Sequence, residues 1–234
     1  MSEASEKVLG IVHLPIFPLP LVLMPYELLP LHIFEPRYRQ MLKDIELRRN
    51  LFGISFFEPR SDFEERPKEG SVGCVAEIRQ AQTLPDERSN ILTSGLIRYR
   101  ILKYADTNTP YFSVEVEFFE DEKESDDLLF PIADEVFELF ERVAKAAFRL
   151  SGNRGQFPEV PKAEPEQLSF LVSAAFNLEN EVKLQFVEMT STSERLDRLK
   201  EILEQTVGQM ESNADIVSVA RSNGHSKKPV NLDE

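Results

Sequence analysis

The sequence predicts an α+β fold, a small closed or partly closed β-barrel across its first half followed by a C-terminal helical bundle. Three observations carry this. Up to Phe119 the apolar residues recur with the period of two that belongs to half-buried strands, and from Phe130 they recur at helical spacing. The length, 234 residues of which 41% are hydrophobic, is also enough to bury a sizeable core. The expected divisions are a flexible N-terminus over residues 1–10, a barrel subdomain over 11–125, a helical bundle subdomain over 126–211 and a disordered tail over 212–234.

Residues 8–17 are apolar and β-prone, and Pro18 and Pro20 then restrict the chain to an edge, a bulge or a loop, because proline cannot donate to a ladder. Leu29, Leu31 and Ile33 alternate with Pro30, His32 and Phe34, and Tyr38, Met41, Leu42 and Ile45 follow at helical spacing. A strand therefore passes into a helix near Glu35, with Pro36 presetting the first turn. Residues 51–57 form another β-prone run, and 58–70 read as an exposed loop containing Pro59 and Pro67. Residues 72–81 and 91–104 are longer strands joined through Pro85-Asp86, a turn-favouring step. In the last strand, Phe112, Val114, Val116 and Phe118 share one face and Ser113, Glu115 and Glu117 the other.

The helical half begins behind Asp126 and Asp127, whose charges suit a helix N-terminus, and Val136, Phe140, Val143, Ala147 and Leu150 mark a wide apolar stripe. A Pro- and Gly-containing linker over 151–165 leads to two short helices, 166–176 and 180–189. The last helix starts at the capping-box spacing Ser191-Thr192-Ser193-Glu194 and shows Leu196, Leu199, Leu203, Val207 and Met210 along one side.

The formal charge of −14 repels phosphate backbones and anionic headgroups, so neither nucleic acid nor membrane is an expected partner. Much of the excess sits in Glu115, Glu117, Glu120, Asp121, Glu122, Glu124, Asp126 and Asp127, which read as a solvated strand end and loop. Cys74 is the only cysteine, which excludes an intrachain disulfide and fits a reducing, cytoplasmic setting. Flanked by Gly73 and Val75, it reads as a small buried thiol rather than a nucleophile served by His13 or His32. The three histidines lack paired-ligand spacing, and no G-x-x-x-x-G-K-[ST] loop is present, so no metal, cofactor or catalytic activity is expected. Arg98 and Arg100 flank Tyr99, and in a strand they form a solvated face with ion pairs to nearby carboxylates.

The runs Leu14-Pro15-Ile16-Phe17-Pro18-Leu19 and Leu29-Pro30-Leu31-His32-Ile33-Phe34-Glu35-Pro36-Arg37-Tyr38 resemble the N-terminal, substrate-binding domain of the Lon protease family, and most of all its stand-alone form. Gly70-Ser71-Val72-Gly73-Cys74-Val75-Ala76-Glu77-Ile78 and Gly95-Leu96-Ile97-Arg98-Tyr99-Arg100-Ile101 agree in order and spacing. The resemblance implies a PUA-like β-pseudobarrel, a helical bundle behind it, and a non-catalytic role in recognising proteins or unfolded, apolar polypeptide segments, as in protein quality control. The chain departs from the family at Tyr26-Glu27, where many relatives carry a glycine soon after the proline that Pro25 matches. Prolines 18, 20, 25 and 30 stiffen an apolar segment suited to receiving an extended peptide. The candidate binding residues are Leu21, Leu23, Met24 and Tyr26, with Phe34 and Tyr38 from the strand-helix joint. Two other readings stand beside this: an adaptor that docks a partner protein through the face of its last helix, and a PUA-like RNA-binding module.

Overall fold

The structure is a computed structural model and describes residues 2–47, 49–59, 65–151, 156–176 and 178–223. Its elements are, in chain order, α1 (Glu3–Val8), β1 (Leu14–Leu19), β2 (Leu28–Ile33), α2 (Pro36–Glu46), β3 (Leu51–Phe56), β4 (Val72–Thr83), β5 (Ser89–Tyr104) and β6 (Ser113–Phe119), followed by α3 (Asp126–Leu150), α4 (Pro165–Ala175), α5 (Asn180–Glu188) and α6 (Thr192–Asn223). The strands form one mixed sheet in the order β2-β5-β4-β3-β1-β6, which closes because β5 also pairs with β6. The 16-residue length of β5 makes this possible. Its first half pairs with β2 and its second with β6, so the ring runs β1-β3-β4-β5-β6 and β2 hangs from it as a flap with one free edge. Register shifts in β4 at Cys74/Ala76 and Ile78/Gln80 supply the local bends that closure requires.

Inside the ring the Tyr99 side chain is fully buried and lies so close to Gly53 and Gly73 that a Cβ at either would collide with it. Its hydroxyl meets Ser55 Oγ at 2.6 Å, so the one polar atom of a large ring is satisfied. A second apolar cluster lies under α2, where Tyr38, Met41 and Ile45 face Phe17, Phe52 and Cys74. The third joins sheet to helices and holds Phe170, Phe186, Leu196, Leu199, Leu203 and Val207. That α6 stripe is covered by the chain's own α3 and α4, and Leu196 and Leu203 have no exposed surface at all.

The charged residues at this junction differ from their sequence reading. Arg98, expected on a solvated face, is 2% exposed, and Asp121, expected in a solvated loop, is 3% exposed. Asp121 lies between two arginines. It accepts from Arg98 Nη2 at 2.6 Å through one carboxylate oxygen, and from Arg195 Nη2 and the Thr192 hydroxyl through the other. Arg195, fully buried, also donates from Nε to Ser169 Oγ at 2.8 Å and stacks 3.9 Å from the Phe170 ring centroid. Arg98 donates to the carbonyls of Val187 and Met189, and Glu124 accepts from the Ser193 N–H at 3.1 Å. The acidic run is thus in part the polar seam between barrel and bundle. Burying these ions is tolerable because each finds a charged partner and further hydrogen bonds.

The termini differ too. Residues 1–10 were expected to be flexible, but they contain α1, whose first turn is capped by Ser2 Oγ accepting from the Ser5 N–H at 3.1 Å and whose Val8 is 4% exposed against the barrel. Ala4 and Ile11 pack beside Val8, Lys7 pairs with Glu77 at 3.1 Å, and Arg49 donates to the Lys7 and Leu9 carbonyls, which together dock the segment. At the other end Ser191 caps α6 as its spacing predicts, accepting from the Glu194 N–H at 3.1 Å. The helix then continues to Asn223 instead of ending near 211, with no proline to stop it; the rest of the tail expected to be disordered, 224–234, lies outside the described residues. Among the described residues no helix is long and apolar enough to cross a membrane.

Candidate polypeptide-binding surface

Residues 20–27 connect β1 to the flap and act as a wedge between two cores. Val22 and Met24 point into the helical cluster, and Leu23 points into the cluster under α2. The segment ends in a four-residue turn, Met24-Pro25-Tyr26-Glu27, closed by the Glu27 N–H donating to the Met24 carbonyl at 3.2 Å. Proline second and a positive φ third are the pattern of a type II turn, whose third place favours glycine or asparagine. Here that place is held by Tyr26 at φ 66°, a left-handed conformation that costs a bulky residue about 1–2 kcal/mol. The turn is held in place by its neighbour. Tyr26 donates its N–H to the Gly95 carbonyl at 2.8 Å and Gly95 returns a bond to the Glu27 carbonyl at 2.9 Å. Only glycine allows this approach, since a Cβ at 95 would collide with the Met24 carbonyl. Glu27 folds back so that its carboxylate accepts from the Met24 N–H at 2.8 Å, while burial raises its pKa above the ordinary carboxylate value, against the opposing pull of that N–H and of Lys183.

Beyond the turn, the alternation of β2 sorts its side chains. Leu29, Leu31 and Ile33 lean on the core under α2, and Leu28, Pro30 and His32 face outward. Phe34 continues the outward row and stacks on His32 with ring centroids 6.1 Å apart. Leu28 at 62% and Phe34 at 59% exposure therefore lie on the outward side of the flap, with Pro30 and His32 between them. Tyr26, 41% exposed in the turn before it, borders the pocket lined by Arg98, Phe119 and Glu166. This outward row and the turn before it make up the ridge. Large apolar side chains left exposed along one strand and the turn before it make this the candidate contact surface.

The six candidate residues separate accordingly. Tyr26 and Phe34 lie on the ridge. Leu21 is half-buried, and Leu23, Met24 and Tyr38 are at most 3% exposed and belong to the core, so they position the surface without presenting it. Tyr38 packs on Phe17 at 3.9 Å between centroids, one turn after Pro36 opens α2. Leu28 is the ridge residue that sequence reasoning missed, although it continues the outward positions 30, 32 and 34 by the same period of two.

Cys74 is 1% exposed and burial pushes its thiol up to about 12, so the thiolate a nucleophile requires is scarcely populated near neutrality. His32 is engaged with Asn90 Oδ1 at 2.7 Å, and His13 lies 3.7 Å from Glu115. The arrangement can bind through apolar area and exposed backbone.

Comparison with known proteins places this geometry. The profile of the ATP-dependent protease La (LON) substrate-binding domain matches residues 13–205. Lon protease of Syntrophomonas wolfei is 27% identical over 197 residues, which is 81% of this chain and 23% of that protein. Lon protease of Escherichia coli K12 is 27% identical over 232 residues, 94% of this chain and 26% of that protein. The chain thus spans about a quarter of the length of these curated relatives. Among solved structures, the Lon N-terminal domain protein from Xanthomonas campestris aligns over 81% of this chain and 97% of its own, with a TM-score of 0.59 at 22% identity. The N-terminal domain of Mycobacterium avium complex Lon protease aligns over 82% and 98%, with a TM-score of 0.60 at 18% identity. Both share the architecture of a β-barrel followed by helices.

Proposed function

Since the chain belongs to the LON substrate-binding domain family, we propose that it is a non-catalytic recognition module that takes unfolded or apolar polypeptide segments, as protein quality control requires, on the ridge formed by Tyr26, Leu28 and Phe34. The single observation that carries this reading is the set of large apolar side chains left exposed here: Leu28 and Phe34 on the outward side of the flap, whose alternate residues are core, and Tyr26 in the turn before it. The setting proposed for it is the cytoplasm, and it requires neither metal nor cofactor.

The adaptor reading loses its main support, because Leu196, Leu199, Leu203 and Val207 are covered by the chain's own helices and offer no stripe to a partner. The RNA-binding reading loses its basic-aromatic pair, because Arg98 and Tyr99 are both buried.

Titration calorimetry with a Leu- and Phe-rich unstructured peptide tests the proposal. Burying one large apolar side chain contributes about 1.5–3 kcal/mol, and about 1.4 kcal/mol is tenfold in affinity. Leu28→Asp and Phe34→Asp are each expected to weaken binding by about tenfold or more while the circular dichroism spectrum is unchanged, because both side chains are already solvated. Undiminished binding in both variants would remove the ridge from the mechanism.

A further inference from the structure

Beyond Glu77, which pairs with Leu51, strand β4 outruns β3, and its tip is paired only with β5. The direction of its free backbone groups follows from the ladder. The Leu84 N–H donates to the Arg88 carbonyl across the hairpin, so the next pair outward from the turn, Thr83 and Ser89, is not hydrogen-bonded, and neither is the pair Ala81 and Ile91. The N–H and C=O groups of Ala81 and Thr83 therefore face away from β5, toward an open edge. Residues 79–83 are all exposed. The other free edge, on β2, is blunted in the usual protective way, since Pro30 sits in its middle and offers no N–H. The β4 tip from Gln80 to Thr83 has neither proline nor charge.

This edge borders a groove of about 520 Å3 between β4 and α2, lined by Leu42, Lys43, Ile78, Ala81, Thr83 and Ile91. Arg39 crosses one end to pair with Glu87, and its Nε is buried there without an acceptor. Three cations line the groove, but Arg39 pairs with Glu87 and Arg79 with Glu77 at 3.0 Å, which leaves Lys43, one turn from Glu46, to meet an incoming carboxylate.

We propose that the β4 tip binds an extended, acid-flanked polypeptide segment by strand addition. The segment pairs its backbone with Ala81 and Thr83, lays alternate apolar side chains into the groove over Leu42, Ile78 and Ile91, and sets a carboxylate near Lys43. Backbone pairing supplies affinity that is tolerant of sequence, which suits clients that share only being unfolded. The inference rests on the polypeptide-recognition reading but uses a face distinct from the ridge.

The test uses the full chain and fluorescence anisotropy with a fluorescein-labelled peptide of alternating valine and threonine ending in two glutamates, alongside the same peptide N-methylated at alternate amides. Ala81→Pro removes one outward N–H without touching a β4–β5 hydrogen bond, and Ala81→Thr keeps it. Expected are a tenfold or greater loss of affinity with Ala81→Pro, near-native affinity with Ala81→Thr, and a comparable loss when the N-methylated peptide meets the native chain. That last comparison decides the matter even if the proline variant fails to fold. Equal affinity of the two peptides for the native chain overturns strand addition. If the unmodified peptide then still binds and is released by Phe34→Asp, the ridge reading survives alone; if the native chain binds neither this peptide nor the apolar one, both readings fall.

Discussion

Glu27 illustrates how a single side chain ties the turn to its stability. Its carboxylate is held against the Met24 N–H, and burial raises its pKa above the ordinary 4.5. In the window above that value the native state retains a proton that the unfolded chain releases, so stability falls as pH rises until the raised pKa is passed. Glutamine keeps an acceptor for the Met24 N–H and has no charge to desolvate. Glu27→Gln is therefore expected to melt above the native chain at pH 7, with the difference vanishing below pH 4.5, where both side chains are neutral. An equal shift at both pH values would mean that the change acts through packing instead. At this scale the sequence was only partly legible. Tyr38 reads as inward-facing from its helical spacing, and Tyr26 is conspicuous as a departure from the family. Leu23 and Met24 read as surface because a proline-rich stretch has no periodicity to sort its faces, and only the clusters on either side of the wedge show that both are core.

The seam is where elements from opposite halves of the chain are joined. Arg98 comes from β5, Asp121 follows β6, and Arg195 lies in the first turn of α6. One buried carboxylate thus holds two buried guanidinium groups, and desolvation lowers the pKa of Arg98 while Asp121 opposes the shift. Removing that charge leaves the two cations only the Glu166 carboxylate nearby, and breaking a buried pair in this way costs about 3–5 kcal/mol. Asp121→Asn, which keeps the shape, is expected to lose that much in urea unfolding; a loss below about 1 kcal/mol would mean that the seam is held by apolar contact alone. None of this was legible beforehand. Charge runs and strand arginines are normally solvated, and the partner that buries them lies 74 residues further on. The start of α6 could be read, since a capping box is local chemistry, and so could its apolar face, since helical spacing is local geometry.

For the whole molecule, the change of period from two to helical spacing was enough to order a barrel before a bundle, and in the structure the barrel closes because the long β5 pairs with β6 as well as with β2. What periodicity could not supply was the placement of the ends, because α1 is too short to show a period and docks through Val8, Ala4 and the Lys7–Glu77 pair, and α6 runs on past its apolar stripe. The assembled protein is strongly acidic yet leaves an apolar row exposed on its flap. These two properties make opposite demands on how a polypeptide is recognised. Contacts between exposed charges are screened beyond about 8 Å at physiological ionic strength, whereas apolar burial persists or strengthens in salts that are excluded from the surface, and it lowers the heat capacity on binding. Titration of the Leu- and Phe-rich peptide into the full chain, at low and high sodium sulfate and at several temperatures, separates the two. Recognition through the ridge predicts affinity that holds or rises with salt together with a negative heat-capacity change; a steep loss of affinity with salt, with no heat-capacity change, would contradict it.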